Sequence, residues 1–439
     1  MVIGAGAAGM AAATRARRFD PQAHITVLEA SGEFSRTTCS LPYYVGGELE
    51  GSHSLAAATR GELDEMRIEL RLNHRVSRIE PSSRRVIIDG TSIEYDRLVV
   101  GVGSRPRPVP VLSQGSSLWS LRDAKDARAI REVMDSRPPR SVAVVGGGYL
   151  GLEMAEVLTR RGCRITLFHR HQNVMRLLPQ TDEIVRSELL LRGVTLRLGC
   201  EVRLVSPEAS QASVEFDDAE GVRRTEVFDA VLLTAGVVPE TDLLAKAGAR
   251  VRPSGGVVID SRGETTLSGV YAAGDGVEIP KPYGGGGRCV PLATNAARWG
   301  RVCGENAAGG SLRGPAPWGC VGIRLFDSQV ASVGHPEEWE AADPVTVSVE
   351  PEPHFAPRAR ATAVFLQDRR SGRLLGAQFV GPQALAWADL ASLALHKEMR
   401  VSEFSELDLA HTPPLSALWH PFTLAARVAE KRHGREVWR

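Results

Sequence analysis

The chain has 439 residues, 43% of them hydrophobic and 24% charged, with a formal net charge of +1. That balance suits a water-soluble globular chain of about two to four domains, and it supplies no electrostatic field for nucleic acid or an anionic membrane surface. No apolar run is long enough to span a bilayer.

Six cysteines, Cys39, Cys163, Cys200, Cys289, Cys303 and Cys320, form no CxxC pair and no zinc spacing, so no metal site is expected. Together with the lack of a secretory pattern at the start, this points to a reducing, cytoplasmic setting.

In chain order, the first element is an apolar strand leading into Gly4-Ala5-Gly6-Ala7-Ala8-Gly9. Only three residues precede Gly4, fewer than the usual strand of about five, so a few further N-terminal residues are expected. A helical stretch follows, then a second strand over His24-Ile25-Thr26-Val27-Leu28 that ends at Glu29. This is a βαβ unit with a GxGxxG turn. Its glycines allow a tight turn and close approach of a pyrophosphate, and its helix N-terminus holds the phosphate charge. Glu29 sits at the spacing of about 20 residues expected for a carboxylate accepting from a ribose 2′-hydroxyl.

Val86-Ile87-Ile88 and Ile93-Glu94-Tyr95 flank Asp89-Gly90, a hairpin signal. Leu98-Val99-Val100 reads as a buried strand ending at Gly101-Val102-Gly103, and Pro106, Pro108 and Pro110 stiffen the linker beyond it. The design then repeats: the strand at 142–145 enters Gly146-Gly147-Gly148-Tyr149-Leu150-Gly151, and Arg164-Ile165-Thr166-Leu167-Phe168 follows. Aligning the two units puts His169 in the slot of Glu29, with Arg170 beside it. A carboxylate repels a 2′-phosphate and a guanidinium welcomes it. The first site therefore suits FAD or NAD and the second suits NADPH, with NADH as the other donor to test. Val231-Leu232-Leu233-Thr234-Ala235-Gly236 is a further buried strand, and after about Trp318 no dinucleotide motif appears.

The two glycine motifs and the TLSGVYAAGD run from Thr266 to Asp275 resemble the pyridine nucleotide-disulfide oxidoreductase superfamily over essentially the whole chain. The resemblance implies an α/β fold with two Rossmann-like dinucleotide-binding domains, for FAD and NAD(P), plus a C-terminal α+β dimerisation domain. Expected boundaries are 1–110 and 238–315 for FAD, 111–237 for NAD(P)H and 316–439 for dimerisation. It implies a homodimer and makes Gly103, Gly236, Gly274, Asp275 and Ala293 cofactor-binding residues, with Asp275 on the flavin ribityl chain. Glu153, in the helix after the second motif, is implied near the face where NADPH delivers hydride.

Ser35-Arg36-Thr37-Thr38-Cys39-Ser40-Leu41-Pro42-Tyr43-Tyr44 carries one cysteine where glutathione-reductase-like members have CxxxxC. It is similar to the coenzyme A-disulfide reductase, NADH oxidase and NADH peroxidase group, which implies that Cys39 is the redox-active thiol. The oxidases and peroxidases have a histidine where this chain has Ala7, which points to reduction of a small-molecule disulfide such as that of coenzyme A. Two alternatives stand: an NAD(P)H oxidase or peroxidase cycling through a cysteine sulfenic acid, and a flavin redox sensor of low turnover.

The stretch 408–416 resembles the family's Tyr-Ala-Pro-Pro motif, with His411 in place of the tyrosine. His354-Phe355 stands where the family has two tyrosines. Histidine can still exchange a proton near neutral pH. Ser35 and Thr38 are implied as polar neighbours of the thiol, Arg18 (with Arg15 on the same helix face) as a phosphate contact, and Trp419 as a substrate-facing or interface residue. The rhodanese domain of persulfide-reducing relatives is not read in these residues.

Overall fold

The computed structural model describes residues 1–51, 55–208, 210–281, 287–334, 342–349, 361–412 and 416–437. They form two compact units.

The first unit comprises Met1–Pro108, Ser120–Arg137 and Gly236–Pro317. Its centre is a five-stranded parallel sheet in the order Val270–Ala272, Leu98–Val100, Val2–Ile3, Ile25–Leu28, Ile68–Arg71. The central strands are apolar on both faces, as a sheet covered by helices on each side requires. Helix Ala7–Phe19, alanine-rich and buried at Ala8, Ala12 and Ala13, packs closely on helix Ala293–Ala307. The Asp89-Gly90 hairpin is present: Arg85–Ile88 pairs antiparallel with Thr91–Glu94, and both turn residues take positive φ. Tyr95 falls just outside the strand.

The second unit comprises Val109–Trp119, Pro138–Ala235 and Trp318–Arg439. It contains a second Rossmann-like sheet, ordered Thr195–Leu198, Arg164–His169, Ser141–Val145, Ala230–Leu233, Leu118–Ser120. A three-stranded antiparallel sheet of residues 201–228 lies beside it in sequence. The C-terminal segment is a five-stranded antiparallel sheet in the order Val321–Leu325, Ser328–Gly334, Leu374–Val380, Ala361–Asp368, Ala342–Val349. Helix Ala384–His396 packs on that sheet, over a core that includes Phe365, Phe379, Phe404, Phe422 and Trp387. Phe365 meets both Phe379 and Phe422 edge to face.

Within this unit, buried Glu156 accepts from Arg160 Nε at 2.9 Å and Arg324 Nε at 3.0 Å. Gln378 Oε1 accepts from Leu178 N at 2.8 Å and Thr181 Oγ1 at 2.7 Å. These bonds tie the nucleotide-motif segment to the C-terminal sheet. No helix among the described residues is long and apolar enough to cross a membrane.

Candidate active site

The first glycine motif turns tightly from strand to helix. Gly4 has φ +93°, and a Cβ on Gly9 would lie 1.8 Å from the Gly4 carbonyl oxygen, so only glycine fits there. Helix Ala7–Phe19 starts at Gly6 with no side-chain cap, leaving the first-turn N–H groups of Ala7 and Ala8 for an external acceptor. Glu29, 5% exposed, ends the next strand. Its Oε2 accepts from Ala5 N and its Oε1 from Ser31 N and Oγ, all at 2.8 Å. Arg36, from the cysteine segment, comes within 4.0 Å of the same carboxylate.

Gly274, at φ +93°, follows the strand Val270–Ala272 and presents Asp275. Asp275 Oδ2 accepts from Ser104 Oγ at 2.8 Å; burial pushes its carboxyl upward and the Ser104 bond opposes that. Gly103, which bonds Glu240 N through its carbonyl, and Gly236, which bonds Arg107 N, both take positive φ. Ala293 opens its helix, two residues before Asn295. Asn295 is 5% exposed, and its Nδ2 has no partner among the described residues. An open helix start, a buried carboxylate, a second desolvated carboxylate and an orphaned amide donor are the groups that a flavin dinucleotide would satisfy. Asn295 carried no motif, and only its burial beside an uncapped helix start reveals it.

Cys39 lies on the 3-10 turn Thr38–Ser40, exposed to solvent with Thr38. The turn leads into helix Leu41–Gly46, with Pro42 in the first turn where its missing N–H costs nothing. Ser35 anchors the segment: it is buried at φ +53°, donates from N to Ala5 O at 2.7 Å and accepts from Ala57 N at 2.7 Å. The Cys39 turn is thus tied directly to the first glycine motif, at the expense of a left-handed serine costing about 1 kcal/mol. Thr37 N donates to Leu55 O, while Thr37 Oγ1 is buried without a partner among the described residues. From helix Ala124–Ser136, Arg131 Nη1 donates to Tyr44 O at 3.0 Å and Leu49 O at 2.7 Å, and its guanidinium lies 4.8 Å from the Tyr44 ring centre. Thr37 and Arg131 were not singled out from sequence, because their roles come from tertiary contacts.

The other thiols are set apart. Burial pushes Cys163 and Cys320 up to about 11 and Cys303 further still. Cys200 and Cys289 are raised for the same reason.

The second motif repeats the first. Gly148 starts helix Tyr149–Arg160 without a side-chain cap, and a Cβ on Gly151 would lie 1.8 Å from Gly146 O. Leu150 and Glu153 are half-buried in that helix, and burial raises the Tyr149 hydroxyl, which is hydrogen-bonded to Ser332. His169 ends the next strand and accepts from Gly147 N through Nδ1 at 3.1 Å. Exposed Arg170 donates from Nε to His171 Nε2 at 3.1 Å.

The remaining expectations scatter. Arg18 is exposed near the end of its helix, whereas Arg15 donates to Glu305 at 2.7 Å and is spent on that pair. His411 is exposed, as is Trp419, which stacks under Arg427 at 3.6 Å; both belong to the second unit, Cys39 to the first. His354, Phe355 and residues 413–415 lie outside the described residues. Among the described residues no group of His, Cys, Asp and Glu could hold a metal ion.

The family model for pyridine nucleotide-disulphide oxidoreductases matches residues 1–300. The chain belongs to this family. It is 32% identical to an NAD(P)H sulfur oxidoreductase (CoA-dependent) of Pyrococcus abyssi and 30% identical to an NAD(P)H coenzyme A polysulfide/persulfide reductase of Pyrococcus horikoshii; each match covers 98% of this chain and 97% of the relative. Among solved structures, the NAD-dependent persulfide reductase from A. fulgidus superposes with a TM-score of 0.92 at 29% identity, over 99% of this chain and 83% of that one. As a member of the family, the chain is a flavin-dependent oxidoreductase that uses FAD and a pyridine nucleotide.

Proposed function

We propose that this chain is an NAD(P)H-dependent reductase of a low-molecular-weight disulfide or persulfide, such as that of coenzyme A, acting through Cys39. The observation that carries the reading is the placement of Cys39: an exposed thiol on a turn that Ser35 binds directly to the first glycine motif. The names of the Pyrococcus relatives, which act on sulfur and coenzyme A, agree with it.

In this reading the first unit holds FAD through the helix start at Gly6, Glu29, Asp275 and Asn295. The second glycine motif holds the nicotinamide nucleotide, with domain boundaries at 1–110 and 238–315, 111–237 and 316–439. FAD, when bound, supplies the chemistry that turns a hydride from the nucleotide into two electrons for sulfur. The Cys39 thiolate attacks one sulfur of R–S–S–R, forming a Cys39–S–S–R bond and releasing RS⁻. Two electrons and a proton, together the hydride equivalent of one NADPH, then return Cys39 to the thiolate and release RSH; protonation of the first RS⁻ takes up one further proton, so each disulfide consumes one NADPH and one proton and gives two RSH. His411 protonates a departing thiolate in a homodimer built through residues after 316, and Arg18, Thr38 and Trp419 contact the thiol substrate. Oxygen or peroxide reduction is not favoured, because Ala7 offers no proton-transfer group.

A screen of disulfides, persulfides and peroxide as NADPH-consuming acceptors tests the reading. It expects turnover with a thiol disulfide or persulfide. Turnover with peroxide or oxygen alone would refute it.

A further inference from the structure

None of the three residues of the turn Thr38–Ser40 is buried, so packing on the turn itself does not fix the Cys39 thiol. Its position is inherited from the chain on either side. On the N-terminal side, backbone bonds of 2.7 to 2.9 Å tie Ser35 to Ala5 and Ala57, and Thr37 to Leu55. On the C-terminal side, helix Leu41–Gly46 buries Leu41, Pro42, Tyr44 and Val45 and ends at Gly47, which takes φ +85°.

Both flanks meet one helix, Ala124–Ser136. Arg128 and Arg131 lie three residues apart on it and share a face. Arg128 pairs with Glu33, ahead of the thiol in sequence. Arg131 Nη1 donates to Tyr44 O at 3.0 Å and to Leu49 O at 2.7 Å, the carbonyls that bracket the Gly47 turn. Arg131 Nε faces Asp135 at 3.4 Å, and the guanidinium lies 4.8 Å from the centre of the Tyr44 ring. One nitrogen thus closes the turn that ends the cysteine helix, while a carboxylate and a ring hold the guanidinium in place. An exposed ion pair such as Arg128–Glu33 contributes little. A charged donor on two carbonyls, its side chain only 23% exposed, is the stronger tie.

We propose that Arg131 is a positioning residue of the reaction: it fixes helix Leu41–Gly46 at its C-terminal end and so sets where the Cys39 sulfur stands when electrons reach it. This role rests on the Cys39 reading above and adds the residue that aligns the thiol. The step concerned is reductive cleavage of Cys39–S–S–R. Two electrons and a proton, supplied by NADPH through FAD, arrive; the S–S bond breaks; Cys39 is left as the thiolate and RSH departs. Such a step depends on where the sulfur sits, and a misplacement of about 1 Å costs roughly 100-fold. Hydride delivery from the nucleotide comes earlier and does not use the cysteine segment, so Arg131 leaves it unchanged.

The test uses the FAD-loaded full chain in anaerobic stopped flow. NADPH first bleaches the flavin. Coenzyme A disulfide, or in a separate run coenzyme A persulfide, then restores its absorbance, each by way of Cys39–S–S–R. Arg131→Met, which cannot donate, should bleach at the wild-type rate and reoxidise about tenfold or more slowly. Arg131→Lys keeps the charge but lacks the planar group over Tyr44 and should slow reoxidation about threefold; it carries the test if the methionine variant does not fold. Alkylation of Cys39 by iodoacetamide needs no alignment with the flavin. It should stay within about twofold of wild type from about pH 6 to 9, which separates position from thiol acidity. Wild-type reoxidation by Arg131→Met, or by Arg131→Lys where the methionine variant does not fold, would overturn the proposal. So would equal slowing of bleaching and reoxidation, or a parallel fall in alkylation. In each of these cases the sulfur reading stands. A wild-type flavin that neither acceptor reoxidises would overturn both.

Discussion

Gly9 and Gly151 are equivalent residues of the two motifs, and alanine at each should remove a different cofactor. In both, the added Cβ would lie 1.8 Å from a backbone carbonyl oxygen, Gly4 O or Gly146 O, where ordinary contact begins at 3.4 Å. The shortfall of about 1.6 Å is against backbone, so no side-chain rotation relieves it and the helix must lift from its strand. Since misplacement by about 1 Å can cost roughly 100-fold, each helix start should lose at least that much affinity for its ligand, about 2.7 kcal/mol. Gly9→Ala should purify without flavin. Gly151→Ala should keep its flavin absorbance per mole of protein and bind NADP⁺ at least about 100-fold more weakly in a calorimetric titration. A Gly151→Ala protein that binds NADP⁺ as the wild type does, or that loses FAD instead, would refute the assignment of the two motifs.

Other outcomes follow from the same geometry. Iodoacetamide at neutral pH should alkylate Cys39 first, with Cys163, Cys303 and Cys320 protected by burial and raised thiol pKa; peptide mapping that finds any of those three modified ahead of Cys39 would contradict this. Glu156→Ala removes a buried acceptor for two partly exposed guanidiniums and should cost about 2 kcal/mol, lowering Tm by several degrees in a thermal scan. An unchanged Tm would mean the contact contributes nothing to the second unit. Light scattering at micromolar concentration should report a dimer, and truncation after residue 316 should give a monomer; a monomeric full chain would remove the assembly proposed here.

The architecture was legible because it repeats. Two GxGxxG turns, each between apolar strands, imposed the same strand-turn-helix geometry, and the Glu29 and His169 slots coincide down to the backbone donor that holds them. The Asp89-Gly90 hairpin followed from two residues that tolerate positive φ. The support around the site was not legible. Asn295 and Arg131 sit in no motif, and Thr37 lies in the cysteine segment with no role of its own there; they matter because distant chain segments bury or approach them. Arg15 shows the same limit in reverse: helical spacing placed it with Arg18, but Glu305, 290 residues away in sequence, takes its charge. Arg170, placed beside the slot by alignment, directs its Nε to His171.

The central claim is that Cys39 carries the sulfur chemistry, and Cys39→Ser tests it most directly. The variant should retain FAD and its bleaching by NADPH, because those depend on the glycine motifs, and should lose NADPH-dependent consumption of a thiol disulfide, because serine has no accessible anion at neutral pH and cannot form the S–S bond. Disulfide reduction by Cys39→Ser at the wild-type rate would contradict the account.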